Sequence, residues 1–147
     1  FGSLYDKVGA KLPLYAGGSL MALSYLLFAV LGMNLTSLMI IVIYGLMMLG
    51  HRMAFSNTLA ESLKMETGAL RADATAICQT SQQLAGSLGT TILASIIAAG
   101  QKQNNTSYVL ATAQGSQAAF WFTLVISLII LVSYFRMFKA ENGKTAL

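Results

Sequence analysis

The sequence has 147 residues, of which 56% are hydrophobic and only 10% charged, and its net charge is +4. An average soluble domain carries about 25% charged residues, so this composition excludes such a domain and indicates a membrane protein. The basic residues lie at the ends of apolar runs and form no patch with interleaved aromatic residues, which excludes nucleic acid as a partner.

The apolar runs predict an all-α integral membrane protein with four transmembrane helices. Each run can supply the roughly 20 residues that cross about 30 Å of hydrocarbon. In chain order, the predicted elements are a cytoplasmic loop at 1–11, spans at 12–33 and 35–60, a cytoplasmic connection at 61–71, a span at 72–99, an external loop at 100–117, a span at 118–138 and a cytoplasmic tail at 139–147.

The distribution of basic residues predicts the orientation of these spans. With the first loop inside, all of the 9 Lys and Arg residues except Lys102 fall on the cytoplasmic side. Cytoplasmic loops carry an excess of Lys and Arg, and a shift by one crossing would remove this asymmetry. We therefore expect a multi-pass protein of the cell membrane with both ends of this sequence in the cytoplasm.

The loop at 1–11 carries a pattern of glycines and charges directly before the first span. It resembles the loop signature G-x-L-x-D-[RK]-x-G-[RK]-[RK] of the major facilitator superfamily, through Gly2, Leu4, Asp6, Lys7, Gly9 and Lys11. Ala10 departs from the first of the two final basic positions. The resemblance implies a gate, in which the Asp6 carboxylate is held by a helix N-terminus or an Arg of the opposite half of the transporter.

The second predicted span contains His51 and Arg52. Arg52 is either an anchor at the membrane interface or a charge at the inner mouth of a cavity, because a long Arg side chain can reach water from there. His51 shares a helix face with Tyr44 and Phe55, and such a face either binds a flat apolar cation or is simply packed.

The third predicted span carries amides and small residues on one stripe. Gln79, Gln82, Gly86 and Gly89 fall on this stripe at 100° per residue. An unsatisfied amide in lipid costs several kcal/mol, so the stripe must meet another helix or a water-filled cavity. Both interpretations stay open: Gly86 and Gly89 suit close helix packing, and Gln79 and Gln82 suit either packing or a substrate path.

Residues 72–90 of this span are similar to the penultimate helix of fourteen-span drug:proton antiporters, which typically contains N-T-x-[RQ]-Q-x-[AG]-G-[AS]-[IL]-G-[TV]. Gln79 replaces the usual Asn, and Asp73 stands where Gly, Ser or Asn is commoner. The resemblance implies that the sequence is the C-terminal part of a helix bundle of the major facilitator superfamily, namely the last helix of one three-helix repeat followed by a complete final repeat. The sequence begins at Phe1 inside a motif, and we expect it to be a piece of a longer chain.

The acidic residues bear on energy coupling. Coupling to protons needs an ionisable group inside the membrane, and every carboxylate here falls at a predicted cytoplasmic edge, namely Asp6, Glu61, Glu66, Asp73 and Glu141. A coupling acid is therefore expected outside this sequence. The resemblance implies a proton gradient as the energy source, and we expect no cofactor and no metal, because one Cys and one His cannot form an ordinary zinc site.

These observations favour a fragment of a transporter that expels drugs in exchange for protons by alternating access. Its expected partners are the lipid bilayer, the N-terminal half of the same transporter and small amphipathic or cationic drugs. Two alternatives remain, a nutrient or metabolite symporter of the same superfamily and a four-helix membrane module that binds partner proteins without transporting. An enzyme is not expected, because the sequence shows no nucleophile–base pair.

Overall fold

The computed structural model describes residues 11–63, 68–103 and 107–144. The described chain forms α1 at Lys11–Leu31, a short 3-10 turn at Gly32–Asn34, α2 at Ser37–Ser62, α3 at Ala69–Gln103 and α4 at Tyr108–Lys144. All 4 helices are long and apolar enough to cross a membrane. The prediction of an all-α protein with four membrane-spanning helices is confirmed.

The described helices pack side by side. α1 lies between α2 and α4, and α3 lies at the edge, against α4. α1 contacts both α2 and α4, whereas α3 packs mainly on α4. Neighbouring helices run in opposite directions, so the start of α1 meets the end of α4, where the Lys11 Nζ atom lies 5.5 Å from the centre of the Phe138 ring. At the opposite end, the Phe28 and Phe120 rings stack with centroids 4.8 Å apart.

Small residues let the backbones of α1 and α2 approach closely. A Cβ atom added to Gly17 would lie 2.8 Å from the carbonyl oxygen of Gly50, closer than real Cβ contacts come. Between membrane helices lipid tails are as apolar as the side chains, so close packing and interhelical hydrogen bonds hold helices together instead of hydrophobic burial. The sequence analysis did not identify Gly17 or Gly50 as a helix contact.

The predicted external loop at 100–117 is wrong in its extent, because α3 continues to Gln103 and α4 already begins at Tyr108. Several of the polar residues that suggested a loop form hydrogen bonds from within the described helices. The Thr112 hydroxyl donates to the Tyr108 carbonyl at 2.7 Å, and Gln101 Nε2 donates to the Thr112 hydroxyl across the two helices at 2.9 Å. The end of α4 also extends beyond the predicted limit at 138.

The break after α1 is closed by one side chain from α4. Gly32 has a φ of +42°, a backbone conformation that favours glycine and ends the α-helical pattern. The Gln117 Nε2 atom donates to the Ala29 carbonyl at 2.7 Å. This bond occupies one of the carbonyls that the last turn of a helix leaves without an intrahelical partner.

Candidate functional site

A cleft of about 270 Å³ lies where α1, α2 and α4 meet. Each of these helices turns one face toward the cleft, so its lining residues recur about every three or four positions. Gly18 and Met21 come from α1, His51, Ala54, Phe55 and Thr58 from α2, and Ser127, Ile130 and Tyr134 from α4.

Two hydrogen-bond contacts of the cleft share the Thr58 hydroxyl group. The Thr58 hydroxyl donates to the Ala54 carbonyl at 2.8 Å, and its oxygen lies 2.9 Å from the Tyr134 hydroxyl oxygen. A hydroxyl has a single proton to give. The two contacts are hydrogen bonds at the same time when Thr58 donates to Ala54 and Tyr134 donates to Thr58.

Aromatic rings form part of the wall. The His51 and Phe55 rings lie nearly parallel, at 12°, with centroids 6.0 Å apart. Both residues are half-buried, as is Met21 on the facing helix. A thioether and ring faces make an adaptable apolar surface.

The other candidate residues of the second predicted span, which forms α2, lie away from this cleft. The structure brings His51 and Phe55 together in the lining, but Tyr44 is 52% exposed and does not line the cleft. Arg52 is exposed as well, and a Cβ atom on Gly45, which shares its face, would meet nothing within 4 Å in the described chain. This face of α2 is therefore open in the part of the protein that the structure describes.

The stripe of α3 is also uncovered. Gln79, Gln82 and Gly86 are exposed, and Gly89 is half-buried. A Cβ atom added to Gly86 or Gly89 would have nothing within 4 Å among the described residues. The helix partner predicted for these glycines is thus not supplied by the described helices, and their packing role stays a prediction.

The predicted gating residues, Gly2, Asp6, Lys7 and Gly9, lie outside the described residues. The sequence analysis in turn missed Thr58, Ser127 and Tyr134, which line the cleft. Ser127 and Tyr134 lie seven positions apart on α4, which places both on one helix face, and this periodicity was the available signal. Which helix that face meets follows only from the tertiary structure.

The helices, their apolar surfaces and the polar groups held between them define the class: this is an α-helical membrane protein. The chain is similar to proteins named lincomycin resistance protein LmrB. It is 30% identical to the one from Bacillus subtilis (strain 168) over 149 residues, and 27% identical over 148 residues to the one from Listeria monocytogenes serovar 1/2a (strain ATCC BAA-679 / EGD-e). These matches cover 95% of the chain, which spans 31% of the length of each of these curated relatives.

The protein of the same name from Listeria innocua serovar 6a (strain ATCC BAA-680 / CLIP 11262) is 26% identical over 148 residues, again 95% of the chain and 31% of the relative. No family model matches the chain. No solved structure matches it.

Proposed function

We propose that this chain is part of a drug-efflux transporter of the major facilitator superfamily, which expels its substrates in exchange for protons. The relatives' name connects them with lincomycin resistance, and export is a direct way for a membrane protein to protect a cell. The resemblance of the first loop and of 72–90 to drug:proton antiporters supports the same proposal.

The observation that carries the proposal is the uncovered polar stripe of α3. The amides of Gln79 and Gln82 are exposed on a helix that is apolar enough to span a membrane. Amides of this kind do not face lipid, because an unsatisfied amide there costs several kcal/mol. The stripe therefore belongs against the remainder of a longer protein or against an aqueous cavity, as in a transporter whose other half completes the path.

The proposed mechanism is alternating access, in which two halves of the transporter rock about a site near the middle of the membrane. In this proposal α3 contributes cavity wall, Arg52 lies at the inner mouth, and the loop with Asp6 forms a gate with the N-terminal half. The proposed location is the cell membrane, with both ends of this chain in the cytoplasm. The described basic residues support this orientation, because the antiparallel helices bring Lys11, Arg71 and Lys139 to one end and Lys102 to the other.

The test is efflux by the full-length parent protein in cells. Energised cells that express it are loaded with ethidium, and efflux is followed by fluorescence with and without a protonophore. We expect efflux that the protonophore abolishes, together with growth at lincomycin concentrations that stop cells carrying an empty vector.

The control is the amount of parent protein in the membrane, measured by immunoblotting in every sample. If the protein is present in the membrane but neither drug is expelled, drug efflux is refuted, and a transporter with a narrow nutrient substrate becomes the better explanation. If efflux persists in the presence of the protonophore, proton coupling is refuted and drug export stands.

A further inference from the structure

We propose that one face of α4 binds an anionic phospholipid, with an acyl chain along an apolar groove and the headgroup phosphate at Arg136. The groove has a volume of about 440 Å³. Its lining comes from α4 and consists of Val125, Leu128, Ile129, Val132, Ser133 and Arg136. We call it the α4 groove. This inference goes beyond the proposed function and does not rest on the transport of any substrate.

The α4 groove lies on the side of α4 that faces away from α1 and α2. Leu131 and Tyr134, which α4 turns toward those helices, fall on the opposite side of the helix at 100° per residue. Val125, Ile129 and Val132 are 55%, 60% and 56% exposed. This apolar surface is therefore uncovered in the part of the protein that the structure describes.

The dimensions and the chemistry of the α4 groove suit a lipid chain. The Ser133 hydroxyl donates to the Ile129 carbonyl at 2.9 Å, so its proton does not need water or a ligand in the groove. Val125 and Arg136 are 11 positions apart, which is about 16 Å at 1.5 Å per residue. This length is about half of the 30 Å hydrocarbon core, the depth of one lipid leaflet.

Two cations lie where the α4 groove ends. Arg136 belongs to the lining, and Lys139 is three positions later, so the two residues are neighbours on the helix surface. Both side chains are exposed, and neither forms an ion pair within the described ranges. The planar guanidinium matches the geometry of phosphate oxygens, and the ammonium adds a second positive charge. An anionic lipid therefore fits better than a zwitterionic one, whose own ammonium these cations would repel.

A further helix fits the α4 groove less well than a lipid chain. Where α1 and α2 meet closely, Gly17 and Gly50 let the backbones approach each other. The lining of the α4 groove contains neither glycine nor alanine. A helix packed along it would also cover Arg136, and burying an unpaired charge is costly. A flexible acyl chain leaves the guanidinium at the membrane interface, where the long Arg side chain reaches the headgroups.

The test uses the purified full-length parent protein in nanodiscs of dioleoylphosphatidylcholine. A small fraction of the lipid carries a diazirine in one acyl chain and has either a phosphatidylglycerol or a phosphatidylcholine headgroup. After illumination, mass spectrometry measures the labelling of residues 125–136 by each probe. We expect labelling by the phosphatidylglycerol probe to exceed labelling by the phosphatidylcholine probe about threefold or more.

Two matched variants locate the headgroup. Arg136→Gln removes the cation at the end of the α4 groove and should bring this labelling ratio close to one. Lys102→Gln removes an exposed cation at the other end of the helices and should leave the ratio within about twofold of wild type. An unchanged ratio in Arg136→Gln would overturn the headgroup site.

The wild-type protein alone already decides whether the site exists. A ratio near one means that bulk lipid contacts α4 without selection, and it overturns the proposal. Absence of labelling by either probe overturns it as well, because another part of the parent protein then covers the α4 groove. Neither result bears on drug efflux, and a selective lipid site stands even if the parent protein expels neither ethidium nor lincomycin.

Discussion

Gly17 and Gly50 hold α1 and α2 in backbone contact. A Cβ atom on either glycine would lie 2.8 Å from the carbonyl oxygen of the other. The approach is mutual, so neither helix can accept a side chain at this level without moving away. The contact fixes the spacing of α1 and α2, and with it the width of the cleft that lies beside Gly18 and Met21.

Gly17→Ala is expected to destabilise the full-length protein by about 1–3 kcal/mol, because the new methyl group would lie 2.7 Å from the Ala54 backbone nitrogen. The measurement is the thermal unfolding midpoint of the purified protein. Gly45→Ala is the matched control: it makes the same change in the same pair of helices, but its Cβ atom has nothing within 4 Å in the described chain. Equal midpoints for the two variants would contradict the close contact.

Gly32→Ala is expected to cost more stability than Gly68→Ala. Both glycines have positive φ, +42° and +61°, so both variants strain the backbone, by roughly 1–2 kcal/mol. Only at Gly32 would the new Cβ atom also approach a side chain, at 2.9 Å from Gln117 Nε2, and disturb its bond to Ala29. Thermal unfolding of both variants measures the difference, and a larger loss for Gly68→Ala would refute this account.

Thr58 is expected to stabilise the contact of α2 with α4 through Tyr134. Thr58→Val keeps the shape of the side chain but removes the hydroxyl that lies 2.9 Å from the Tyr134 hydroxyl oxygen. We expect the free energy of unfolding of the full-length protein to fall by about 0.5–1.5 kcal/mol, measured by thermal unfolding. Thr58→Ser restores the hydroxyl and should restore the unfolding midpoint. Equal midpoints for Thr58→Val and wild type would refute a stabilising hydrogen bond.

Gln79→Ala is expected to change the substrate profile more than the amount of protein. Its side chain is exposed on the α3 stripe, so in the described chain there is no helix contact for the substitution to break. The ratio of lincomycin to ethidium resistance, corrected for protein level, measures the effect, and we expect a change of about threefold or more. Leu84→Ala on the opposite face is the control. Loss of resistance in proportion to loss of protein would instead favour a packing role.

Asp6→Asn tests the gate that is implied by the resemblance of the first loop to the superfamily signature. A carboxylate at a helix N-terminus contributes about 0.3–1 kcal/mol when exposed, so its loss should slow efflux about two- to fivefold at normal protein level. Asp73→Asn, near the start of α3, is the comparison. Unchanged efflux in Asp6→Asn would leave this loop only its role in orientation.

The number of helices followed from the sequence because the apolar runs are long and interrupted by charge or glycine. The start of α4 could not be predicted in this way, because the segment that contains Thr112 and Ser116 is as polar as a loop. Both hydroxyls donate to backbone carbonyls one helical turn earlier, at 2.7 Å and 2.8 Å. Hydroxyls that bond within their own helix leave no sign in composition.

The candidate site was predictable only in part. His51 and Phe55 were found because four-residue spacing places them on one face of α2. Tyr134 is 76 residues away from Thr58 in sequence, and no local pattern joins them. Gly86 and Gly89 were singled out as packing residues, while Gly17 and Gly50, which do pack, were not, because a glycine pattern does not say which glycine has a partner.

The backbones of α3 and α4 are in contact at Gly100 and Gly115, where a Cβ atom added to Gly100 would lie 2.9 Å from the facing Cα atom. Arg71 lies about 44 Å along the helix from Gly100, at 1.5 Å per residue. A tilt of about 5° around this glycine contact would carry the Arg71 end through about 4 Å, while atoms beside the contact hardly move. In such a tilt the displacement of the α3 atoms would grow with their distance from this contact, and the Gln79 and Gln82 amides lie far from it along the helix.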